Sequence, residues 1–401
     1  GENYMIQGMK FESKKYVLTW GTLLMLLLLT FAAIGLMHFN EYGYVFEKNT
    51  REIFFTKMKD QQISLADKQK LQEEVDQLQT ELYREDGTPI KTEIKKPGKY
   101  AGTKLDEYGF LGEAIDCIDC IQKRNSNMEL MVSDYQGELV GYHKEKNTTI
   151  VDQKKLTAAV CCELYGVLPC LFVIFVLSNS FSIEWESHLA DVVHVTRKGR
   201  ERIILTKLLH GVFWSVISNF YFWGIYLAYQ WFAVGMRSED WSSPLFLVEG
   251  YQMCASGLTI FGYILRQIAA AALATIVIAV ITMLLSKLTC KGIFALLAAL
   301  VIFILGIIPD VMEVVLYNSI FLVDSGERYF LPRPEFYRLL KFEKLGNPIS
   351  LFQIKYFAQQ PRYIQLGQYQ YSMVIFPLLI AVILIGLCIM LLLLTKRGGK
   401  K

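Results

Sequence analysis

Along this 401-residue chain, polar stretches are interrupted by apolar runs of roughly 20 residues without a single Lys, Arg, Asp or Glu. As a helix rising about 1.5 Å per residue, each such run is long enough to cross a hydrocarbon core about 30 Å thick. The runs are Tyr16 to Met37, Leu164 to Ile183, Leu208 to Met236, Gln267 to Ser286, Gly292 to Pro309, and a last one ending at Thr395 whose membrane part is Met373 to Leu394. The pattern predicts an α-helical polytopic membrane protein with six transmembrane helices and a large extracytoplasmic domain between the first and second. Its expected divisions are an N-terminal cytoplasmic segment at 1–15, a first span at 16–38, the extracytoplasmic domain at 39–157 and a second span at 158–183. A cytoplasmic region follows at 184–204, then the third to fifth spans at 205–309, an extracytoplasmic loop with short helices at 310–371, a sixth span at 372–395 and a cytoplasmic tail at 396–401. The first run lacks a small-residue cleavage site and exceeds a signal h-region, so it reads as a retained span. Gly1 to Gly8 carry no structural pattern, and Met5 or Met9 is the expected natural start.

Between the first two runs, Leu71, Val75, Leu78 and Leu82 recur at spacings of 4, 3 and 4, the stripe of an amphipathic helix. Two heptads are short for a coiled coil, so the helix is expected to pack on its own domain rather than on a second chain. Asp86-Gly87 and Pro97-Gly98 mark turns. Farther on, apolar-striped stretches between Arg333 and Tyr356 are expected to lie on the membrane surface or dip into it. Between the second and third runs, Trp185, Leu189, Val192 and Val193 fall on one helical face and Glu184, Glu186, His188 and Asp191 on the other. This predicts an amphipathic helix along the inner membrane surface.

Charge adds orientation. Lys10, Lys14 and Lys15, then Arg197, Lys198, Arg200 and Arg202, then Lys287 and Lys291, then Lys396, Arg397, Lys400 and Lys401 all fall on one side of a six-span topology. Basic residues beside spans resist translocation, which makes that side cytoplasmic and places both termini there, in a multi-pass protein of the cell membrane. The net charge of +3, from 41 Lys and Arg against 38 Asp and Glu, gives no reason to expect a nucleic-acid partner. The 53% hydrophobic content excludes disordered and disulfide-scaffold classes.

Candidate chemistry is sparse. Cys117 and Cys120 form a Cys-x-x-Cys pair with no second pair or nearby histidine to close a zinc site. A local disulfide ranks ahead of free thiols, and both rank ahead of metal. His188 and His194 lack the spacing of a metalloprotease motif. Arg266 and Glu163 at span starts read as snorkelling interfacial residues rather than pathway residues. His210 and the aromatic-rich stretch Phe213 to Phe232 read as interfacial anchors ahead of a cavity lining. No phosphate-cradling GxxxxGK[ST] loop, Gly-x-Ser-x-Gly elbow or HExxH occurs, so neither catalysis nor nucleotide binding is expected of this chain.

The loop between the second and third runs resembles the coupling-helix region of the ABC type-2 exporter permease family. Phe181-Ser182, Glu184, Arg200 sixteen residues after that Glu, Lys207 seven after that Arg, and Leu208-Leu209 entering the span match the family's spacing. His188 stands where the family usually has Gly, and Arg197 where it usually has Pro. Six spans, a large outer domain after the first and short outer helices before the last extend the resemblance over nearly the whole chain. It implies ATPase coupling through Glu184, Trp185, His188, Arg200 and Lys207. It implies no cofactor in this chain, with ATP and Mg held by separate ABC ATPase subunits, and a second permease chain, identical or related, paired in the lipid bilayer. It further implies outward movement of a peptide, antimicrobial compound or other amphipathic cargo. A permease for antimicrobial-peptide sensing or immunity, or a non-transporting polytopic receptor, is the alternative. The second span is expected to join the outer domain to the inner loop as one stiff element.

Overall fold

The computed structural model describes residues 10–17, 19–59, 67–82, 104–134, 150–187, 197–248, 250–252, 254, 257–321, 345–359, 363–366 and 369–395. The chain is mostly helical. Among the described residues, five stretches are long and apolar enough to cross a membrane: Trp20–Phe39, Val167–Glu186, Arg202–Val234, Ile260–Thr289 and Ile375–Leu394. They belong to helices α1 (Trp20–Lys59), α5 (Val167–Leu177) with α6 (Ser182–Glu186), α7 (Arg197–Tyr229) with a π-turn at Gln230–Val234, α9 (Ile260–Thr289) and α12 (Ile375–Leu394). The run expected as a fifth span begins α10 (Gly292–Phe321), whose apolar part among the described residues, Gly292–Ile308, is shorter than the others.

Helix α9 is the axis of the bundle. Thr259 caps its start, its hydroxyl accepting from the Gly262 amide at 3.1 Å, as an N-terminal donor requires. Its buried residues recur from Ile260 to Ser286, and Ala270, Ala271, Ala274 and Ala279 among them allow α5, α7, α10 and α12 to approach closely. By contrast, only 22% of the Trp20–Phe39 window and 22% of Ile375–Leu394 are buried, which places these two spans at the periphery. Leu24, Leu27, Leu28 and Phe31 on the first and Val382, Ile383 and Leu387 on the last face outward, a cost in water that disappears against lipid tails.

Helix α1 runs well past its apolar window, from Phe39 on to Lys59. Its extension is held by Arg51, which is fully buried. The guanidinium donates to Asp152 Oδ2 at 3.0 Å through Nε and to Glu113 Oε1 at 3.0 Å through Nη1, and it lies over the Phe55 and Phe110 rings at 5.4 and 5.1 Å. This gathers α1, α3 (Lys104–Asp134) and the start of α4 (Gln153–Val160). Burial alone would lower the Arg51 pKa, but hydrogen bonds and charge from Glu113 and Asp152 raise it above the ordinary arginine range. Glu113 moves the other way: desolvation would raise it, and Arg51, then Lys154, hold it below the ordinary carboxylate value. The predicted helix around Leu71 is α2 (Lys68–Leu82). Leu71 and Val75 pack on Phe110, Leu111, Ala114, Ile115 and Ile118 of α3 in a small separate core, the intramolecular option the two heptads favoured.

The second span departs from a single stiff helix. It is an 11-residue α5 preceded by a break at Cys161 and Cys162 and a 3₁₀ turn at Glu163–Gly166, and followed by a turn at 178–181. The segment expected to lie on or dip into the membrane is, where described, a wedge. The 3₁₀ turn Pro348–Phe352 is buried at every residue between α9, α10 and α12. Two glycines make room for it: a Cβ on Gly166 would lie 2.6 Å from the Phe352 carbonyl oxygen, and one on Gly306 would lie 2.6 Å from Ile349 Cδ1. Gln267, fully inside the bundle, secures it by accepting from the Ile354 amide at 2.7 Å and donating to the Phe352 carbonyl. After α11 (Lys355–Gln359) a hairpin of β1 (Tyr363–Leu366) and β2 (Tyr369–Ser372) leads into α12. Of the expected 310–371 loop, residues 322–344, 360–362 and 367–368 lie outside the described residues, and 310–321 continue α10.

Candidate functional site

At the end of the bundle where the basic clusters fall, the turn between the second and third spans is bonded to its neighbours from several sides. The sequence Ser-Asn-Ser-Phe-Ser at 178–182 interrupts the apolar run with small polar residues, whose backbone amides need partners once buried. Ser286 of α9, fully buried, supplies one, its hydroxyl oxygen accepting from the amides of Phe181 at 3.0 Å and Ser182 at 3.1 Å. Helix α6 then carries Glu184, Trp185 and Glu186.

Glu184 points inward. Its carboxylate meets Lys207 Nζ of α7 at 2.6 Å, with Lys207 completely enclosed and Glu184 only 14% exposed. The same ammonium donates to the Ser180 carbonyl and lies 4.7 Å from the centre of the Phe181 ring. Two further charges complete the group: Lys15 lies 3.7 Å from Glu184 and Glu12 lies 4.0 Å from Lys207. Two acids and two bases thus form a charge-balanced cluster, which is how a protein tolerates ions inside a low-dielectric region. The N-terminal segment is fastened beside it, since Ser13 Oγ and Trp214 Nε1 both reach His210 Nε2 at 3.0 Å. His210 is therefore a buried tether of that segment rather than an interfacial anchor.

The next carboxylate on α6 reaches another span. Glu186 Oε1 accepts from the Gly292 amide at 3.0 Å, placing negative charge at the N-terminus of α10, where the helix dipole favours it. The approach is close enough that a Cβ on Gly292 would fall 1.8 Å from Asn179 Oδ1. The preceding Cys290 takes a left-handed conformation, φ 56°, to turn the chain from α9 into α10. Lys287, at the end of α9, donates to the Leu392 carbonyl at the end of α12. In sum, the 178–187 turn touches the N-terminal segment, α7, α9 and α10 directly, and α12 is tied to the same corner through Lys287.

Of the residues expected to couple to a partner, Glu184 and Lys207 therefore meet each other. Trp185 lies partly buried on the same short helix. His188 falls outside the described residues, as does the side chain of Arg200. The amphipathic helix expected to run on through Val193 is described only as Ser182–Glu186, with Ser187 closing it. The aromatic-rich stretch divides: Phe222, Trp223 and Tyr226 are buried, the last two packing with Tyr165, whereas Phe213, Phe220, Trp231 and Phe232 are exposed. Sequence reasoning missed Glu12, Ser286 and Glu186 as parts of one site. The first two had no motif, and only the alternation of Ser and charge at span ends hinted at buried polar contacts.

Toward the opposite end, the Cys117 and Cys120 side chains are buried on α3, and the disulfide ranked first for them is not formed in this structure. Cys120 Sγ accepts from Gln252 Nε2 at 3.4 Å and Gln153 Nε2 at 3.6 Å. Among the described residues, no group of three or more His, Cys, Asp or Glu is placed to hold a metal. In comparisons with known proteins, no family model, no curated protein and no solved structure matches the chain.

Proposed function

We propose that this chain is the membrane permease subunit of an ATP-driven exporter of the ABC type-2 kind, working with separate ATPase chains that hold ATP and Mg. It would pair with a second permease and move a peptide or other amphipathic cargo outward. In this reading α10 counts as a sixth span, the end carrying Lys15, Lys207 and Lys287 faces the cytoplasm, and the region around α2 and α3 lies outside. The observation that carries the proposal is the bonding of the 178–187 turn to the N-terminal segment, α7, α9 and α10. A partner pressing on this turn from below would act on several spans together, because Glu184, Ser182 and Glu186 each reach a different helix. Glu184 acts here as the internal hinge pin that carries force to α7 rather than as the surface touching the ATPase. That contact is left to the segment from Trp185 through Arg200.

The test is reconstitution. The purified chain alone neither binds nor hydrolyses ATP, and an ATPase subunit co-purifies from the source membrane and hydrolyses ATP in the complex. Glu184→Gln with Lys207→Met lowers cargo-stimulated hydrolysis while leaving complex formation intact. Unchanged stimulation in that double variant removes the coupling role, and the failure of any ATPase to co-purify favours a receptor without transport.

A further inference from the structure

Two adjacent polar residues interrupt the apolar start of α9, in the sequence Tyr-Ile-Leu-Arg-Gln-Ile-Ala, and the helix turns them to different surroundings. Gln267 is buried and occupied by the wedge. Arg266 is exposed, some 9 Å along α9 from Ile260 at about 1.5 Å per residue. It forms no ion pair or hydrogen bond among the described residues. A cation at that depth of a membrane needs an anionic partner or access to the interface.

Beside Arg266 opens a cleft of about 430 Å³, within the size range of small-molecule sites. Its walls are Tyr263 and Ala270 of α9, Leu351 and Ile354 of the wedge segment, and Val374 and Leu378 at the start of α12. These walls are predominantly apolar, and among the described residues the guanidinium is the one charged group on them. A polar solute would leave the walls unsatisfied, and an uncharged hydrocarbon would leave Arg266 without a partner. A cationic peptide would meet like charge. A molecule with an alkyl chain and a phosphate or carboxylate head satisfies both features, because the planar fork of arginine matches those oxyanions with two parallel donors.

We propose that the cleft between α9, the 348–359 segment and α12 is a binding site for an anionic amphiphile, its chain along Ala270, Ile354 and Leu378 and its headgroup on Arg266. The occupant comes either from the surrounding bilayer, as an acidic phospholipid, or from solution, as a free amphiphile. The site does not depend on the exporter reading, since binding is measured with no ATPase present.

The experiment places the full chain in nanodiscs of phosphatidylcholine with graded phosphatidylglycerol and counts the lipids retained after release, by native mass spectrometry. The unaltered protein retains phosphatidylglycerol in preference to phosphatidylcholine. Arg266→Gln, a change at an exposed position, weakens that retention at least about tenfold, the scale of a lost charge-assisted hydrogen bond. Arg266→Lys keeps part of it. Ala269→Trp, which fills the cleft from its exposed side, abolishes retention with the charge intact. Dodecyl phosphate titrated into the loaded protein separates the sources: displacement identifies a site open to free amphiphiles, and persistence of the lipid identifies a bilayer-lipid site. Retention unchanged in both Arg266→Gln and Ala269→Trp overturns the proposal.

Discussion

Replacing Lys207 with Met and Glu184 with Gln, singly and together, tests whether the inner charge cluster is held by the pair or merely contains it. Lys207 is wholly enclosed, and its carboxylate partner is 14% exposed at 2.6 Å. Breaking a buried pair by removing one member costs about 3 to 5 kcal/mol, because the other charge is left without compensation. The two members are not equivalent. Glu184→Gln leaves an enclosed ammonium with only Glu12 at 4.0 Å as counter-charge, so about 4 kcal/mol is expected. Lys207→Met leaves a carboxylate that retains some water and has Lys15 at 3.7 Å, so about 3 kcal/mol is expected. In the double variant neither member of the pair strands the other, although Glu12 loses Lys207 as in the single Lys207 variant. Its loss should fall near 4 kcal/mol rather than the sum of about 7, a coupling of about 3 kcal/mol at the upper end of measured pairs. Reversible unfolding in mixed micelles gives the three values. Additive losses, with coupling below about 0.5 kcal/mol, would mean that the pair contributes nothing specific and that its role as a hinge pin is mistaken.

Other consequences follow from the same physics. Gln267→Leu strands the Ile354 amide and Phe352 carbonyl inside the bundle and should cost about 3 kcal/mol in the same unfolding assay, and Gln267→Glu should cost at least as much, because it loses the donor to Phe352 and buries a carboxylate with no counter-charge. Cys290→Gly relieves a left-handed non-glycine residue and should stabilise by about 1 kcal/mol, whereas Gly292→Ala should destabilise by pushing Asn179 and the 178–187 turn away. Because Glu113 titrates below the ordinary carboxylate value, its pairing with Arg51 contributes stability that is complete above about pH 4.5 and is lost as the pH falls further. Hydrogen exchange of α3 should accelerate over that acid range in the parent protein, and Glu113→Gln should remove the acid step. Burial pushes the Cys254 thiol up to about 12 against the pull of Arg124 and Arg266, so iodoacetamide at pH 8 should label exposed Cys161 and spare Cys254.

The five long apolar helices were readable because uninterrupted apolar length is a local property, and so was the packed helix around Leu71 and Val75. The reach of α1 to Lys59 was not, since its polar second half owes its place to Arg51 meeting Glu113 and Asp152, which are 62 and 101 residues away. The breaks around α5 were hidden for a related reason. Ser178 to Ser182 look tolerable inside a membrane helix, and only the Ser286 hydroxyl beside their amides shows that a turn is satisfied there. At the candidate site, the loop's resemblance to the permease family singled out Glu184 and Lys207, but it implied that they reach outward to a partner. Their direct contact depends on how α6 meets α7, which no periodicity encodes.

The unbroken course of α1 bears on how a disturbance would cross this molecule. Forty helical residues make a strut about 60 Å long, twice the hydrocarbon thickness. Pivoted near one end, a strut of that length that leans by about 10° sweeps its far tip through about 10 Å. The kinked second span dissipates such a motion at its turns, whereas α1 delivers it undivided to Arg51. A small rearrangement near Lys15 would then be magnified into a visible swing of the helices gathered around Phe110, so the first helix, and not the second, is the mechanical amplifier to watch.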